Sequence, residues 1–235
     1  MSICFLIPVK IDRPEQEFQI RRCTESIRSL YPTTLIVIVY APGSRISIPE
    51  DEHTRLEENP YFATMGALYL FYTRKYADYA YVIHDSMAIL RPLPEPYGSI
   101  RFLYYFKQCV RDHHTIMMDV YTDVLPPDDV FQLVQNLSIG CFGCAFLIHH
   151  SAIEKLGILD IIPKVKTKHQ FEGMERVFAY LAVKHNLLTP DPAICGDIFA
   201  PRVNPWAHGI GNLSLDELRR IDFPQPIFKC IASRN

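Results

Sequence analysis

The sequence predicts an α/β fold, a single Rossmann-like domain over residues 1–235 with a central, mainly parallel sheet flanked by helices. Three short apolar runs, at residues 4–9, 35–40 and 79–83, have the length and continuity of strands buried on both faces. Stretches with helical spacing of apolar residues lie between them, so the chain opens as β-α-β. Such a crossover joins parallel strands through a right-handed connection.

The first helix is predicted to begin at Pro14, because proline suits the first turn of a helix, where its missing N–H is not needed. Glu15 and Glu17 place negative charge near the positive end of this helix, and Pro32 ends it. A second, almost entirely apolar helix is predicted over residues 62–76, directly before the third strand.

The rest of the chain continues the alternation without an internal repeat or a low-complexity linker, which favours one domain. Ser214 and Glu217 form a capping box that opens a short C-terminal helix. The other predicted elements are a polar loop at residues 45–60, strands at residues 115–120, 144–149 and 193–199, and a helix at residues 170–185.

Composition excludes two classes of partner. Lys and Arg number 24 against 26 Asp and Glu, and the net charge of −2 gives no electrostatic reason to bind nucleic acid or an anionic membrane. The apolar run at residues 3–9 is too short for a membrane span and lacks the flanks of a signal peptide. Seven cysteines without framework spacing indicate reduced thiols and predict a cytoplasmic protein. For Cys141 and Cys144, a C-x-x-C without a second pair, packing in a strand is favoured over a metal or redox role.

Ligands of such folds bind beyond the carboxyl ends of the strands. Asp85, in a polar triplet that interrupts a hydrophobic stretch, stands where a carboxylate is rarely tolerated unless it is paired or holds a cation. It is therefore a candidate ligand of Mg²⁺ or Mn²⁺, which would bind a diphosphate in turn; the alternative is an aspartate that caps the next turn. The residues at the three strand ends are Pro8, Val9, Lys10, Tyr40, His84, Asp85 and Ser86.

The order of these features resembles the nucleotide-sugar-binding half of GT-A glycosyltransferases, where a D-x-D motif after the third strand holds the metal and the diphosphate. His84-Asp85-Ser86 is similar to a degenerate form of that motif, with His84 and Ser86 where carboxylates usually stand. Three further stretches resemble elements of a group of bacterial and viral glycosyltransferases, in family order: residues 139–143 its G-x-F-G stretch, residues 174–178 its M-x-x-E-R-V-F helix, and residues 195–198 its Gly-Asp-Ile element.

The resemblance implies an enzyme that moves a sugar from a nucleotide-diphosphate donor to a glycan or another hydroxyl acceptor. Residues 1–90 would form the nucleotide-sugar-binding half, and residues 91–235 the acceptor and catalytic half with the C-terminal tail. Gly140 and Gly143 would let the backbone pass close to the donor, and a tight turn before a buried strand explains them equally well.

Three carboxyl groups are candidates for the catalytic base. Glu175 lies within a predicted helix between apolar residues, where partial burial would raise its pKa and suit it to take the proton of the acceptor hydroxyl. The alternatives are a structural partner in Arg176, or Glu172 and Arg176 as a surface pair four residues apart. Glu172 and Asp197, the latter at a predicted strand end, are the other candidates for the base.

A second metal ligand is predicted in the C-terminal part, because several GT-A enzymes draw a histidine from a loop there. The resemblance implies that His208 joins Asp85 in holding Mn²⁺ or Mg²⁺, while the neighbouring Trp206 stacks on a sugar. The alternative is a loop histidine beside a tryptophan that anchors the tail to the core.

Other functions suit the same class of fold. A nucleotidyltransferase would need a basic, Gly-rich loop after the first strand, and a dinucleotide-dependent enzyme would need G-x-G-x-x-G; the sequence has neither. A non-catalytic nucleotide- or glycan-binding domain is favoured if the degenerate triplet has lost its metal.

Overall fold

The computed structural model describes residues 1–11, 14–107, 110–136, 139–200 and 213–229. Its strands are β1 (Ile3–Val9), β2 (Leu35–Tyr40), β3 (Thr54–Glu58), β4 (Tyr79–Val82), β5 (Met87–Ile89), β6 (Ile100–Phe102), β7 (Tyr105–Phe106), β8 (Gly140–Cys141), β9 (Phe146–His149), β10 (Leu188–Ala193) and β11 (Ile227–Lys229). Its helices are α1 (Pro14–Leu30), α2 (Ala63–Arg74), α3 (Val110–Val124), α4 (Pro127–Asn136), α5 (His150–Lys155), α6 (Lys168–Lys184) and α7 (Leu215–Arg220).

Seven strands form the central sheet in the order β10-β6-β9-β4-β1-β2-β3. Strand β1 is parallel to β2 and β4, β2 is parallel to β3, and β6 is parallel to β10. Strand β9 runs antiparallel between β4 and β6. The predicted α/β fold with a mainly parallel sheet and flanking helices is confirmed.

Helices cover both faces of this sheet, which explains why its central strands are continuous apolar runs. Leu6 of β1 packs in one cluster with Leu68 of α2 and Phe178 of α6. Its neighbour Phe5 packs on the opposite face, in a cluster with Ile27 of α1. Successive residues of a strand point to opposite faces, so a strand between two helical layers must be apolar at every position.

Neither edge strand of the sheet, β3 or β10, was predicted from the sequence. Strand β3 carries charged residues and lies within the predicted polar loop, and β10 contains Pro190 and Pro192. Charged residues and proline are tolerated at an edge, where one side of the strand needs no ladder hydrogen bonds. The predicted strand at residues 193–199 is wrong, because β10 ends at Ala193, where that prediction began.

The predicted strand at residues 115–120 is also wrong, because it lies inside α3. Met117, Val120, Tyr121 and Val124 are buried, while Ile116 is 62% exposed. This spacing of three, four and seven residues is that of one helix face, and it becomes visible only in a window longer than the short apolar run that suggested a strand.

Two small sheets bring distant parts of the chain to the carboxyl edge of the main sheet. Strands β5 and β11 pair antiparallel, with Lys229 opposite Met87. Strands β7 and β8 pair antiparallel, with Phe106 opposite Gly140. The capping box predicted at Ser214 is present at the start of α7, just before β11. Among the helices in the described ranges, none has both the length and the apolar character needed to cross a membrane.

Candidate functional site

A cavity of about 310 Å³ lies at the carboxyl ends of β1, β2 and β4, at the lower end of the size range of small-molecule sites. The register of the sheet brings these strand ends together. Val9 pairs with Tyr40, and Val82 pairs with Leu6, so the residues that follow β4 lie beside the last residues of β1. The cavity is therefore where ligands of parallel α/β sheets bind.

The structure brings together part of the predicted binding set. Five predicted residues line the cavity: Pro8, Val9, Lys10, His84 and Asp85. Four predicted residues do not line it: Tyr40, Ser86, Gly140 and Gly143. Tyr40 ends β2, but the wall at this point is made by the next two residues of the chain, Ala41 and Pro42.

The facing wall consists of residues that sequence analysis did not single out: Asn59, Tyr61, Phe62, Ala63, Thr64 and Phe171. The rings of Phe62 and Phe171 are 6.2 Å apart, so α6 meets the start of α2 across the cavity. The signal that could have found this wall is Asn59-Pro60 directly before an apolar helix, since such a pair marks a turn.

The N-terminus of α2 forms part of this wall. Its N-cap, Phe62, provides no side-chain hydrogen bond, and the first residue, Ala63, has a positive φ of 45°. The hydroxyl of Thr64 is buried and has no hydrogen-bond partner within the described part of the chain. A helix N-terminus carries partial positive charge and N–H groups that bind anions, and a buried unpaired hydroxyl supplies one more donor.

The loop before α2 is held rigidly by Asn59. Its side-chain amide donates to the carbonyl of Ala63 at 2.9 Å, and its oxygen accepts the N–H of Tyr61 at 3.1 Å. A Cβ on Gly66 would lie 1.5 Å from that same oxygen, so only glycine allows this packing. The wall is thus preorganised by local hydrogen bonds.

The triplet His84-Asp85-Ser86 forms the turn between β4 and β5, closed by the N–H of Met87 on the carbonyl of His84 at 2.9 Å. The Nε2 atom of His84 lies 2.6 Å from the carbonyl oxygen of Gly143, so it must carry the proton. Burial and, to a smaller extent, the charge of Lys229 lower the pKa of His84 to about 3, against the opposing effect of the hydrogen bond to Gly143. The imidazole is therefore neutral near pH 7, with Nδ1 as an acceptor.

Lys229, the last residue of β11, lies on the triplet. Its Nζ donates to Nδ1 of His84 at 2.9 Å and also to the hydroxyl of Ser86. The sequence alone does not indicate a role for Lys229, because 145 positions separate it from His84. Nothing local to the C-terminal sequence reveals that β11 pairs with β5.

Asp85, which stands between His84 and Ser86 in the chain, lies on the cavity wall. Burial raises the pKa of its carboxyl group, while the positive charges of Lys229 and Arg22 act in the opposite direction. Arg22 of α1 is 2% exposed and donates to the carbonyl of Leu213 at 2.7 Å. Two cationic side chains therefore lie near the one carboxylate of the triplet.

The described residues do not fit a divalent metal in this arrangement. Within the described ranges, no three His, Cys, Asp or Glu side chains lie close enough together to hold a metal ion. Both ring nitrogens of His84 and the hydroxyl of Ser86 are already engaged. His208, the predicted second ligand, lies outside the described residues, so its role remains a prediction.

Glu175 of α6 lies beside this network. Its Oε1 accepts the backbone N–H of Gly143 at 2.7 Å. Burial raises the pKa of its carboxyl group to about 7, against the opposing effect of this hydrogen bond. Glu175 itself does not line the cavity, but Phe171, four residues earlier on the same face of α6, does. A partly exposed carboxyl group with this pKa suits proton transfer near neutral pH.

Gly143 links Glu175 to His84 through its backbone. Its N–H binds Glu175 and its carbonyl binds His84. Its φ is +63°, and a Cβ would lie 2.2 Å from the ring of His84. Both the backbone conformation and the space require glycine here. Gly143 is thus a positioning residue and makes no part of the cavity wall.

The other two candidate bases do not line the cavity either, and their contacts are local. Glu172 forms an ion pair with Lys168 at 3.6 Å, and its side chain is 45% exposed. Asp197 accepts the N–H of Phe199 at 3.0 Å, which is a local turn. The alternative of Glu172 and Arg176 as a surface pair is wrong, because Arg176 is completely buried.

Gly140 and the C-x-x-C serve packing. A Cβ on Gly140 would lie 2.3 Å from the ring of Phe106, its partner across β7 and β8. Cys141 and Cys144 are completely buried, and burial raises the pKa of both thiols well above the ordinary value. Gly140, Cys141 and Cys144 do not line the cavity. Their burial agrees with the interpretation that the C-x-x-C serves packing.

Neither the models of known protein families nor the curated proteins contain a match to this chain. Its function is therefore inferred from the chemistry of the site.

Proposed function

We propose that the protein is a glycosyltransferase that moves a sugar from a nucleotide-diphosphate donor to a glycan or another hydroxyl acceptor. The observation that carries this proposal is Glu175, a carboxyl group with a pKa of about 7 that is linked through Gly143 to His84, on the wall of a cavity suited to a phosphate-bearing ligand. A general base needs a pKa near the working pH and a place next to the bound donor.

The cavity suits the two ends of a nucleotide donor. Lys10 and the N-terminus of α2, with the hydroxyl of Thr64, provide positive charge and donors for phosphate oxygens. The rings of Tyr61, Phe62 and Phe171 provide flat apolar surface on which a base or a sugar can stack. Charge and stacking surface in one cavity are the chemistry of nucleotide recognition.

The proposed reaction uses Glu175 as the general base. Glu175 takes the proton of the acceptor hydroxyl, whose oxygen forms a bond to the anomeric carbon of the donor. The bond from that carbon to the phosphate oxygen breaks, and the nucleoside diphosphate leaves with the bonding electrons and the negative charge. Two cationic side chains near Asp85 stabilise this developing charge: Lys229 and Arg22.

A cytoplasmic location is part of the same proposal. The five cysteines in the described part of the chain are free and buried, which suits a reducing compartment: Cys4, Cys23, Cys141, Cys144 and Cys195.

A thermal-shift screen of UDP-, GDP- and dTDP-sugars, with a CMP-sugar as the monophosphate contrast, tests donor binding. A ligand that binds the folded protein stabilises it by RT ln(1 + [L]/Kd), about 2.7 kcal/mol at a hundredfold excess over Kd. We expect at least one diphosphate donor to raise the melting temperature. No shift with any nucleotide sugar would contradict the proposal.

The second candidate is a non-catalytic nucleotide- or glycan-binding domain. It is favoured by one observation: His84 and Ser86, at the places of the usual carboxylates, are bound to Lys229. Such a domain would give the thermal shift but would release no nucleotide. Turnover of the bound donor separates the two functions.

A further inference from the structure

We propose that the ammonium of Lys229 takes the place of a divalent cation at His84-Asp85-Ser86, so that the protein binds the diphosphate of its donor without metal. This inference rests on the proposed function. It replaces the sequence-based expectation of Mn²⁺ or Mg²⁺ with a cation that the chain supplies itself.

The structure holds Lys229 at the triplet through the fold around it. Strand β11 pairs with β5 in a register that sets Lys229 opposite Met87, the residue after Ser86. The hydroxyl of Tyr104 donates to the carbonyl of Ile227 in the same strand. Phe228 is 1% exposed and packs on Phe223 with ring centroids 4.8 Å apart. The ammonium is therefore delivered by a packed strand.

The contacts of Lys229 are those that a metal would make with the flanking residues. A metal at a degenerate triplet would need the lone pairs of His84 Nδ1 and Ser86 Oγ. Both atoms face the ammonium instead, and the hydrogen bond from Nε2 to Gly143 fixes the tautomer in which Nδ1 accepts. A divalent cation would have to displace Lys229 to reach them.

The charges around the triplet also support a cation that the chain itself supplies. Two carboxylates of a D-x-D motif neutralise the two charges of a divalent cation. Here one carboxylate, Asp85, has two cationic side chains near it, Lys229 and Arg22, so the chain itself supplies the positive charge that a divalent cation would bring. Lys229 contacts His84, which lines the cavity, so its ammonium lies beside the cavity wall. The leaving diphosphate develops its charge in that region.

Isothermal titration calorimetry with inorganic pyrophosphate, UDP, GDP, CDP and dTDP, each in EDTA and in Mn²⁺, tests the inference. We expect at least one nucleoside diphosphate to bind wild type with similar affinity in both buffers. Lys229→Met should lose about 10- to 100-fold in that affinity, the value of one hydrogen bond to a charged group, and Lys229→Arg should retain most of it. Lys155→Met is the matched control, because Lys155 is exposed on α5, away from the cavity. It should bind as wild type does.

The outcomes separate this inference from the proposed function. Binding that requires Mn²⁺ and is unchanged in Lys229→Met would overturn the role of Lys229 and leave the transferase in place. Absence of binding by all five probes in both buffers would overturn both. Thermal melting of each variant without ligand shows whether it is folded, and Lys229→Arg tests the charge if the methionine variant is not.

Discussion

Replacing Glu175 with glutamine should change the stability of the protein in a pH-dependent manner. Burial raises the pKa of Glu175 to about 7 from the 4.5 of an ordinary glutamate. Between these two values the folded protein keeps a proton that the unfolded chain loses, so wild type loses stability as the pH rises through this interval. Glutamine retains an oxygen to accept the N–H of Gly143 but has no proton to lose.

The magnitude follows from the two pKa values. The difference between 4.5 and about 7, at about 1.4 kcal/mol per pKa unit, is on the order of 3 kcal/mol. Relative to wild type, Glu175→Gln should therefore gain about 3 kcal/mol in free energy of unfolding between about pH 4.5 and about pH 8. The gain should be complete once the pH exceeds the folded-state pKa.

Urea unfolding of both proteins at a series of pH values measures this gain directly. Glu25→Gln is the control, because Glu25 is exposed on α1 and its replacement should leave the pH dependence unchanged. A free-energy difference between Glu175→Gln and wild type that stays constant with pH would refute the raised pKa, and with it the suitability of Glu175 as a base.

Two further substitutions test the positioning of the site. Gly143→Ala should lower the free energy of unfolding by about 2 kcal/mol or more, because its φ is +63° and its Cβ would meet the ring of His84; Gly157→Ala, at φ +65° with open space around it, should lower it by only about 1 kcal/mol. Equal losses in urea unfolding would show that Gly143 does not pack on His84. Thr64→Val should raise the free energy of unfolding by about 1 kcal/mol by removing an unpaired buried hydroxyl, and calorimetry should show several-fold weaker binding of a nucleoside diphosphate. Unchanged affinity would remove Thr64 from the phosphate site.

The central strands were predictable because their environment is uniform. Burial on both faces makes β1, β2 and β4 apolar at every position, and the rule that ligands bind at carboxyl ends then points to Lys10 and Asp85. The edge strands β3 and β10 were not predictable by this signal, since they tolerate charge and proline. A strand was predicted within α3 because a short apolar run does not distinguish a strand from one buried helix face.

The candidate site was predictable only where local sequence determines it. Glu175 could be singled out because residues 174–178 resemble a helix of known glycosyltransferases and place a carboxylate near apolar residues. The sequence does not reveal Lys229 or the N-terminus of α2, because their importance arises from contacts across the fold. Lys229 reaches His84 over 145 positions, and Thr64 matters only because α2 opens into the cavity at β1 and β4.

The proposed reaction is tested most directly by the release of nucleoside diphosphate from the donor that binds best, with a set of simple sugars as acceptors. Wild type should turn over repeatedly, and Glu175→Gln should bind that donor with unchanged affinity while turning over about 10²- to 10⁴-fold more slowly, the range of general-base catalysis. A donor that binds wild type without any release of nucleotide, or a Glu175→Gln variant as fast as wild type, would contradict the proposed role of the site.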